Sequence, residues 1–448
     1  MNFLGMKGSG QFTADELPQD WAQQILFEYP NGQTPIFAIQ SMFPEQLVLA
    51  SEFNWWTETM PARTGALTDV YIDAGLATPY VYATHQATKG IAGATVYVKM
   101  AEALATDAVI GHTCALINAD RPTATVRGRV VSQSLNGASS YIAVQLIEAD
   151  DNAIDGDGAS AASSYNLATA DRIIYMAGAY PWGSSAPEAL SYTPTKFTNY
   201  TQVGRDVFSL SESAQAQITR TGDIYDNDKI RLMYRHAQGW EWSAIFGHKY
   251  STSDIISKQP LYYTEGLLDF VLTNNASMFQ DYRYATDELY AGKDWVEAGH
   301  KFIRNYFKIL RRFAPDNVFV LCGDGAAAGM EELAETYGHV NVDVGQKDYG
   351  LEVSTWRTFS GSFPFKIHPL LSRESSTNNL MIFYVPENMR LCPLVNNGKD
   401  RRTKFETGMV TPGVDGTVDG FKTEAGWKFE FPNQFMILDG IGLKNSVS

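Results

Sequence analysis

Apolar and polar residues alternate in short runs through the first half of the chain and recur at helical spacing through the second. Thr95–Val98 alternates, Thr123–Val131 alternates again, and Tyr141–Ile147 follows Asn136-Gly137. Successive side chains of a strand point to opposite faces, and Asn-Gly supplies the positive φ of a tight turn. These runs predict strands, the last two joined as a hairpin in a small barrel or sandwich. Asp69-Val70-Tyr71-Ile72 and Arg172–Met176 predict further strands, and Asp150–Ser164 reads as an acidic Ser/Ala/Gly-rich loop. Met1 to about Ala50 reads as an extended arm with a few helical turns, interrupted by Pro18 and Pro35.

The clearest helix is predicted over about Asp223–Phe246. Ile230, Met233, Ala237, Trp240 and Ala244 recur at spacings of 3 and 4 on one face. Asp223 and Asp226 sit where a cap and a dipole-compatible acid belong, and Gly247 where the helix should stop. Such a helix is roughly 35 Å long at about 1.5 Å per residue. If that face is buried, Asp at Trp240 or Met233 abolishes folding by burying an unpaired charge. The last third reads as mixed α/β. A helix is expected over Asp294–Phe313, with Val296, Ile303, Phe307 and Leu310 inward, and another over Ala326–Tyr337. Strands are expected at Asn317–Cys322, Val353–Phe359, Phe363–His368, Leu380–Val385 and Met389–Leu394. Trp427–Phe431 and Phe435–Leu438 are expected as two closing strands around Pro432. No internal repeat is visible.

Composition narrows the functional classes. With 448 residues, 44% hydrophobic and 19% charged, the chain has material for a substantial core and two or three domains. A net charge of −15 argues against tight phosphate-gripping nucleic-acid binding. Aromatics at 12% suit a large core or a self-associating surface. Cys114, Cys322 and Cys392 are odd in number and widely spaced, which argues against a disulfide framework or a cysteine zinc site and for a reducing cytoplasm. Neither a signal-peptide h-region nor an apolar run of membrane-spanning length is present, so a soluble protein is expected, with no membrane partner.

Many short stretches occur in a telling order. Val98-Lys99-Met100 leads through Ala105-Thr106-Asp107 to Gly111-His112. Asp171-Arg172-Ile173 precedes Gly178-Ala179-Tyr180 and Pro187-Glu188-Ala189. Pro194-Thr195-Lys196 leads to Asn199-Tyr200-Thr201-Gln202. Arg220-Thr221-Gly222-Asp223 opens the long helix, Phe246-Gly247 ends it, and Thr264-Glu265-Gly266-Leu267-Leu268 follows. Thr423-Glu424-Ala425-Gly426-Trp427 and Ile437-Leu438-Asp439-Gly440-Ile441 come last. From about residue 55 onward this order resembles the major capsid proteins of tailed double-stranded-DNA phages, the Hong Kong 97-type fold.

The resemblance implies an α+β phage capsid fold. It would comprise an N-terminal arm (1–54), the first part of an extended loop (55–92), an inserted small β-barrel-like domain (93–190) and the loop's return strand (191–220). A peripheral domain with a long spine helix (221–265), an axial α/β domain with associated peripheral strands (266–418) and closing peripheral strands (419–448) would follow. The resemblance also implies a non-enzymatic virion subunit, assembled in the host cytoplasm into homo-pentamers and homo-hexamers of an icosahedral shell, with the arm lying over neighbours. Portal, scaffold and decoration proteins would be its partners, with packaged DNA contacted non-specifically. Some capsids of this fold crosslink a lysine to an asparagine between subunits; no residues are assigned to that chemistry here. A decoration or tail protein is the alternative within phage structures.

Candidate chemistry is sparse, and no cofactor is expected. Gly323-Asp324-Gly325-Ala326-Ala327-Ala328-Gly329 follows a strand and opens a helix, as a dinucleotide-binding turn does, with Asp343 and Asp348 downstream. Its GxGxxxG spacing departs from the standard fingerprint. The alternatives are a nucleotide-dependent oxidoreductase and a tight turn whose glycine needs φ > 0. Asp150-Asp151, Asp155-Gly156 and Asp157-Gly158 lack the pattern and closing glutamate of a calcium loop and read as solvated, as do Asp415-Gly416 and Asp419-Gly420. The histidines 85, 112, 236, 248, 300, 339 and 368 form no HExxH, and His236 on the long helix reads as structural. Two basic clusters stand against the acidic background: Arg304, Lys308, Arg311 and Arg312, and Lys399, Arg401, Arg402 and Lys404. They are solvated surface, or contacts to acidic neighbouring subunits or to DNA.

Overall fold

The computed structural model describes residues 34–40, 42–59, 63–120, 125–150, 166–184, 189–217, 223–337, 341–348, 351–358 and 361–447. Residues 1–33 of the expected arm, the Met60-Pro61-Ala62, Pro187-Glu188 and Arg220–Gly222 stretches, and all of the acidic loop beyond Asp150 lie outside the described residues. The chain divides into two compact units: Glu58–Thr195, and the segments that flank it on either side.

The Glu58–Thr195 unit is a closed six-stranded barrel. Its strands run in the order Thr64–Tyr71, Thr95–Met100, Tyr141–Leu146, Thr125–Ser134, His112–Ile117 and Arg172–Gly178, and the last pairs back onto the first. Closure leaves no unpaired strand edge. Val96 and Val98, two apart, point inward with Val70, Cys114, Leu116, Ile142, Val144 and Ile173. The hairpin predicted at Asn136-Gly137 forms, joining Thr125–Ser134 to Tyr141–Leu146. The expected boundary of 93 is corrected by this closure. Thr64–Tyr71, assigned by its sequence to the extended loop, is a barrel stave, and the unit runs from 58 to 195 rather than from 93 to 190. A register shift between Leu67 and Asp69 turns Leu67 and Val70 to the same side although they are three apart. A period-2 reading misses that.

The second unit is built on a seven-stranded mixed sheet. Its order is Phe279–Asp281, Met436–Asp439, Met381–Tyr384, Phe319–Cys322, Gly361–Ile367, Leu351–Thr358 and Asn341–Asp348. Phe319–Cys322 and Met381–Tyr384 are buried along their whole length, hence their unbroken apolar sequences. The helices Trp295–Leu310 and Asp324–Tyr337 share this core, with Phe307 against Phe363 at 4.2 Å and Phe383 at 5.4 Å. The first helix buries Ile303, Phe307 and Leu310 as expected, together with Trp295 and Phe302, while Val296 is only half-buried.

A second sheet holds Met389–Pro393, Thr417–Phe429, Lys404–Glu406 and Gln202–Leu210. Both expected closing strands form on either side of Pro432, the first longer than expected, and they lie in different sheets. Thr417–Phe429 belongs to this sheet and Met436–Asp439 to the seven-stranded one, and Pro432 separates strands that do not pair. Asp419-Gly420, read as a loop, lies inside the long strand with Asp419 buried.

The long helix forms over Ile224–Phe246, with the Asp223 side chain accepting from Tyr225 N–H at 2.8 Å and Gly247 after its last residue. Its buried stripe is Leu232, His236, Trp240, Ala244 and Ile245, with Glu241 beside it. The stripe is turned from the one predicted: Ile230 and Met233 are exposed, and Trp240 and Ala244 are common to both. A polar residue, His236, occupies the core-facing position, so counting apolar residues selected the wrong side of the first two turns.

Trp240→Asp should therefore abolish the folded protein. Met233→Asp should change stability by no more than about 0.5 kcal/mol, as surface substitutions do. Urea denaturation followed by tryptophan fluorescence separates the two.

Candidate functional site: a polar knot at the end of the long helix

Four segments singled out by sequence meet in one small volume of the second unit. Asn199 Nδ2 donates to Trp427 O at 2.6 Å and to Thr264 Oγ1 at 3.3 Å. Asn199 Oδ1 accepts from the backbone N–H of Glu265 at 2.9 Å and of Tyr200 at 2.7 Å. Trp427 N–H donates to Thr264 Oγ1 at 3.1 Å. One buried carboxamide and one buried hydroxyl thus satisfy backbone groups of three segments that share no ladder there. The fourth segment is the end of the helix. Gly266 N–H donates to Gly247 O at 2.8 Å, and a Cβ on Gly266 would lie 2.4 Å from Gly247 N. No larger residue fits at this crossing, whatever its conformational preference.

A second buried constellation sits on the same helix. The Glu241 carboxylate is fully buried and accepts from the N–H groups of Ile36 and Phe37 at 2.8 and 3.1 Å, opening the short helix Pro35–Gln40. His368, equally buried, lies 3.0 Å from Glu241 Oε1 through Nε2. Its Nδ1 accepts from Leu370 N–H at 3.2 Å, so the ring donates to Glu241 through Nε2. His236 is held by Asp206 at 2.7 Å and Thr423 at 2.8 Å, and it positions strands rather than binding a ligand.

Beside the knot lies a cleft of about 240 Å³, lined in part by Lys196, His248, Lys249, Glu265, Asp269 and Asn274. His248 reaches Asp269 at 3.0 Å, and Lys249 Nζ donates to Thr198 O at 2.5 Å. Burial raises the Glu265 carboxyl from 4.5 to about 7; Asp269 adds to the rise, and Lys249 and His248 oppose it. Among the described residues no cluster of His, Cys, Asp and Glu has metal-holding geometry, and no helix is long and apolar enough to cross a membrane.

A model of the SU10 major capsid protein family matches residues 9–442. The chain belongs to that family. A curated relative, the major capsid protein of Pseudomonas phage PaMx41, is 25% identical over 212 residues, 46% of this chain and 48% of that protein. The chain thus spans about half the length of the curated relative it matches. Among solved structures it is similar to a chain of the satellite phage P4 procapsid that includes the size determination protein (12% identity, 60% of this chain and 80% of that one, TM-score 0.38). It is also similar to a chain of Mycobacterium phage Patience (10% identity, 59% and 76%, TM-score 0.39). The family match alone carries the assignment.

Within this capsid family member, the glycine-rich turn is filled by protein. A Cβ on Gly323 would lie 2.2 Å from Asn378 O, one on Gly325 3.0 Å from Asn379 Nδ2, and one on Gly329 2.6 Å from Gly442 Cα. None of the three glycines has positive φ, so the expected left-handed turn is corrected: they are small because chain packs against them.

The structure divides both basic clusters. Arg304, Lys308 and Arg312 form an exposed i, i+4, i+8 row with no ion pair among the described residues. Arg311 turns inward, donating to Pro315 O at 2.7 Å and Ser362 O at 3.0 Å while lying 4.5 Å over the Phe363 ring. Arg401 pairs with Glu424, and Arg402 with Glu45 at 2.6 Å and Asp400 at 3.1 Å. Lys399 and Lys404 are exposed. Sequence reading passed over Glu241 and Glu265. The available signal was an acid between Trp240 and Trp242 in a helix, and one preceding Gly266-Leu267-Leu268.

Glu241→Ala leaves His368 and two N–H groups without their acceptor and should cost about 3–5 kcal/mol, read from the urea midpoint. For Glu265 the folded state holds its proton more tightly than the unfolded chain. Its contribution to stability is therefore intact below pH 4.5 and is lost as pH rises through 7. Glu265→Gln should gain on the parent protein across that window and level off above it, about 3 kcal/mol in all, seen as the difference between two pH–stability curves.

Proposed function

We propose that this protein is the shell subunit of a tailed double-stranded-DNA phage head, a structural protein rather than an enzyme. Many copies form pentamers and hexamers that close into an icosahedral shell around the packaged genome. The single observation that carries this reading is the family match over residues 9–442. The spine helix Ile224–Phe246 serves as the rigid plank of a peripheral domain. Residues 266–418 supply the axial domain, and the arm and extended loop lie over neighbouring subunits. Assembly takes place in the host cytoplasm and the product resides in the virion, with portal, scaffold and decoration proteins as partners.

The exposed row Arg304, Lys308 and Arg312 is the part of the candidate set best suited to a non-specific electrostatic role. It meets either an acidic face of a neighbour or packaged DNA. Lys399 and Lys404 are secondary candidates, while Arg311, Arg401 and Arg402 hold their own chain together.

Negative-stain electron microscopy of the expressed protein, with size exclusion and light scattering, tests the reading. Shells, tubes or capsomer rings are expected. A monomer or dimer at every concentration, with or without a co-expressed scaffold, overturns it. Replacing Arg304, Lys308 and Arg312 together by Gln should leave the unfolding midpoint unchanged and weaken the salt dependence of assembly or DNA retention. An unchanged salt profile removes these residues from the interface.

A further inference from the structure

We propose that the cleft of about 240 Å³ beside the knot is an oxyanion site, taking one carboxylate or phosphate group onto Lys196, Lys249 and the carboxyl of Glu265. Glu265 is only 5% exposed, and no described residue hydrogen-bonds its carboxyl. Backbone contacts impose its place. Glu265 N–H donates to Asn199 Oδ1 at 2.9 Å, and the next residue, Gly266, is pinned to Gly247. A buried polar group ordinarily finds its partner within its own chain. This one lines a cavity instead, which leaves the partner's place open to a ligand.

The charged groups around Glu265 select an anion. Asp269, on the helix Leu267–Asn274, is the other acid lining the cleft among the described residues, and both its oxygens are taken. His248 Nδ1 lies 3.0 Å from its Oδ1, and Lys249 N–H donates to its Oδ2 at 3.0 Å. Lys249 stands at the root of the hairpin Tyr250–Tyr263. Its Nζ donates to Thr198 O and Thr198 Oγ1, both at 2.5 Å, which leaves one of its three hydrogens. Lys196, on the strand Thr195–Tyr200, is exposed and forms no ion pair with a described residue; its ammonium lies 5.9 Å over the Trp56 ring. Two ammonium groups with spare donor capacity thus line the cleft, while the carboxylate of Asp269 is spent.

Glu265 itself couples the site to protons. Burial raises its carboxyl to about 7; Asp269 adds to the rise, and Lys249 and His248 oppose it. A protonated carboxyl donates to an oxyanion, whereas the ionised form repels one. Binding therefore takes up a proton, and affinity falls as pH rises through 7. Pockets for drug-sized ligands hold about 300–1,000 Å³, so this smaller cleft suits a single functional group rather than a nucleotide. An acidic side chain and a nucleic-acid phosphate share that chemistry.

Isothermal titration calorimetry of the full chain, against a constant chloride background, tests the site with acetate and with dimethyl phosphate. Both probes keep one negative charge from about pH 6 to about pH 8. At least one should bind, roughly tenfold more weakly at about pH 8 than at about pH 6, with proton uptake read from the dependence on buffer ionisation heat. The tighter probe identifies the source as a carboxylate or a phosphodiester. Glu265→Gln keeps a donor that does not titrate, so it should bind at both pH values with the pH dependence lost. Lys196→Gln should weaken binding about fivefold without moving the unfolding midpoint. Four results overturn the proposal: neither probe binds, the parent binds independently of pH, the pH dependence survives in Glu265→Gln, or Lys196→Gln binds with full affinity.

Discussion

Everything in the larger unit depends on the crossing at Asn199, Thr264 and Trp427. Three chain segments approach there from different parts of the sequence, with the helix end Phe246-Gly247 closed against Gly266 beside them. Backbone groups at such a crossing cannot use regular ladders, and leaving one unpaired and buried costs about 1–3 kcal/mol. Asn199 answers with its carboxamide, which donates and accepts at once. Apolar side chains could fill the same volume, but they could not fix which segments meet. The crossing therefore sets the direction of the spine helix, the root of the Tyr250–Tyr263 hairpin and the long strand Thr417–Phe429 together.

The Glu241–His368 pair extends the same logic to the short helix Pro35–Gln40. Its carboxylate is buried without solvent, so three donors converge on it, two of them from the first turn of Pro35–Gln40. That short helix is thereby tied to the long helix Ile224–Phe246 at a defined residue. Glu265 is the opposite case: a buried carboxyl whose affinity for its proton is raised, in a cleft that still has room.

The element pattern was largely legible because it rests on local rules. Asp223 and Gly247 bracket the spine helix in sequence and structure alike, and Asn136-Gly137 turns its hairpin where expected. Errors arose where a local rule met a tertiary demand. His236 faces the core because Asp206 and Thr423 receive it, so the helix buries a stripe that apolar counting rejects. Leu67 and Val70 share the barrel interior across a register shift, so the first stave was assigned outside the barrel. Gly323, Gly325 and Gly329 have the look of a cofactor turn, but what approaches them is the chain near Asn378 and Gly442. The basic clusters were legible as composition only. Which cations are free depends on whether Ser362, Glu424 and Glu45 come within reach.

By itself the sequence determined the element types, the long capped helix, the acidic character and, through the order of its short motifs, the capsid resemblance. These follow from periodicity, capping and turn chemistry, each a property of residues near one another in the chain. Only the tertiary structure decided which face of that helix is buried, where the barrel begins, which motifs converge on Asn199, and which of the basic side chains turn inward. Those are set by residues far apart in sequence, and burial and hydrogen-bond partnership are properties of the folded neighbourhood rather than of the residue.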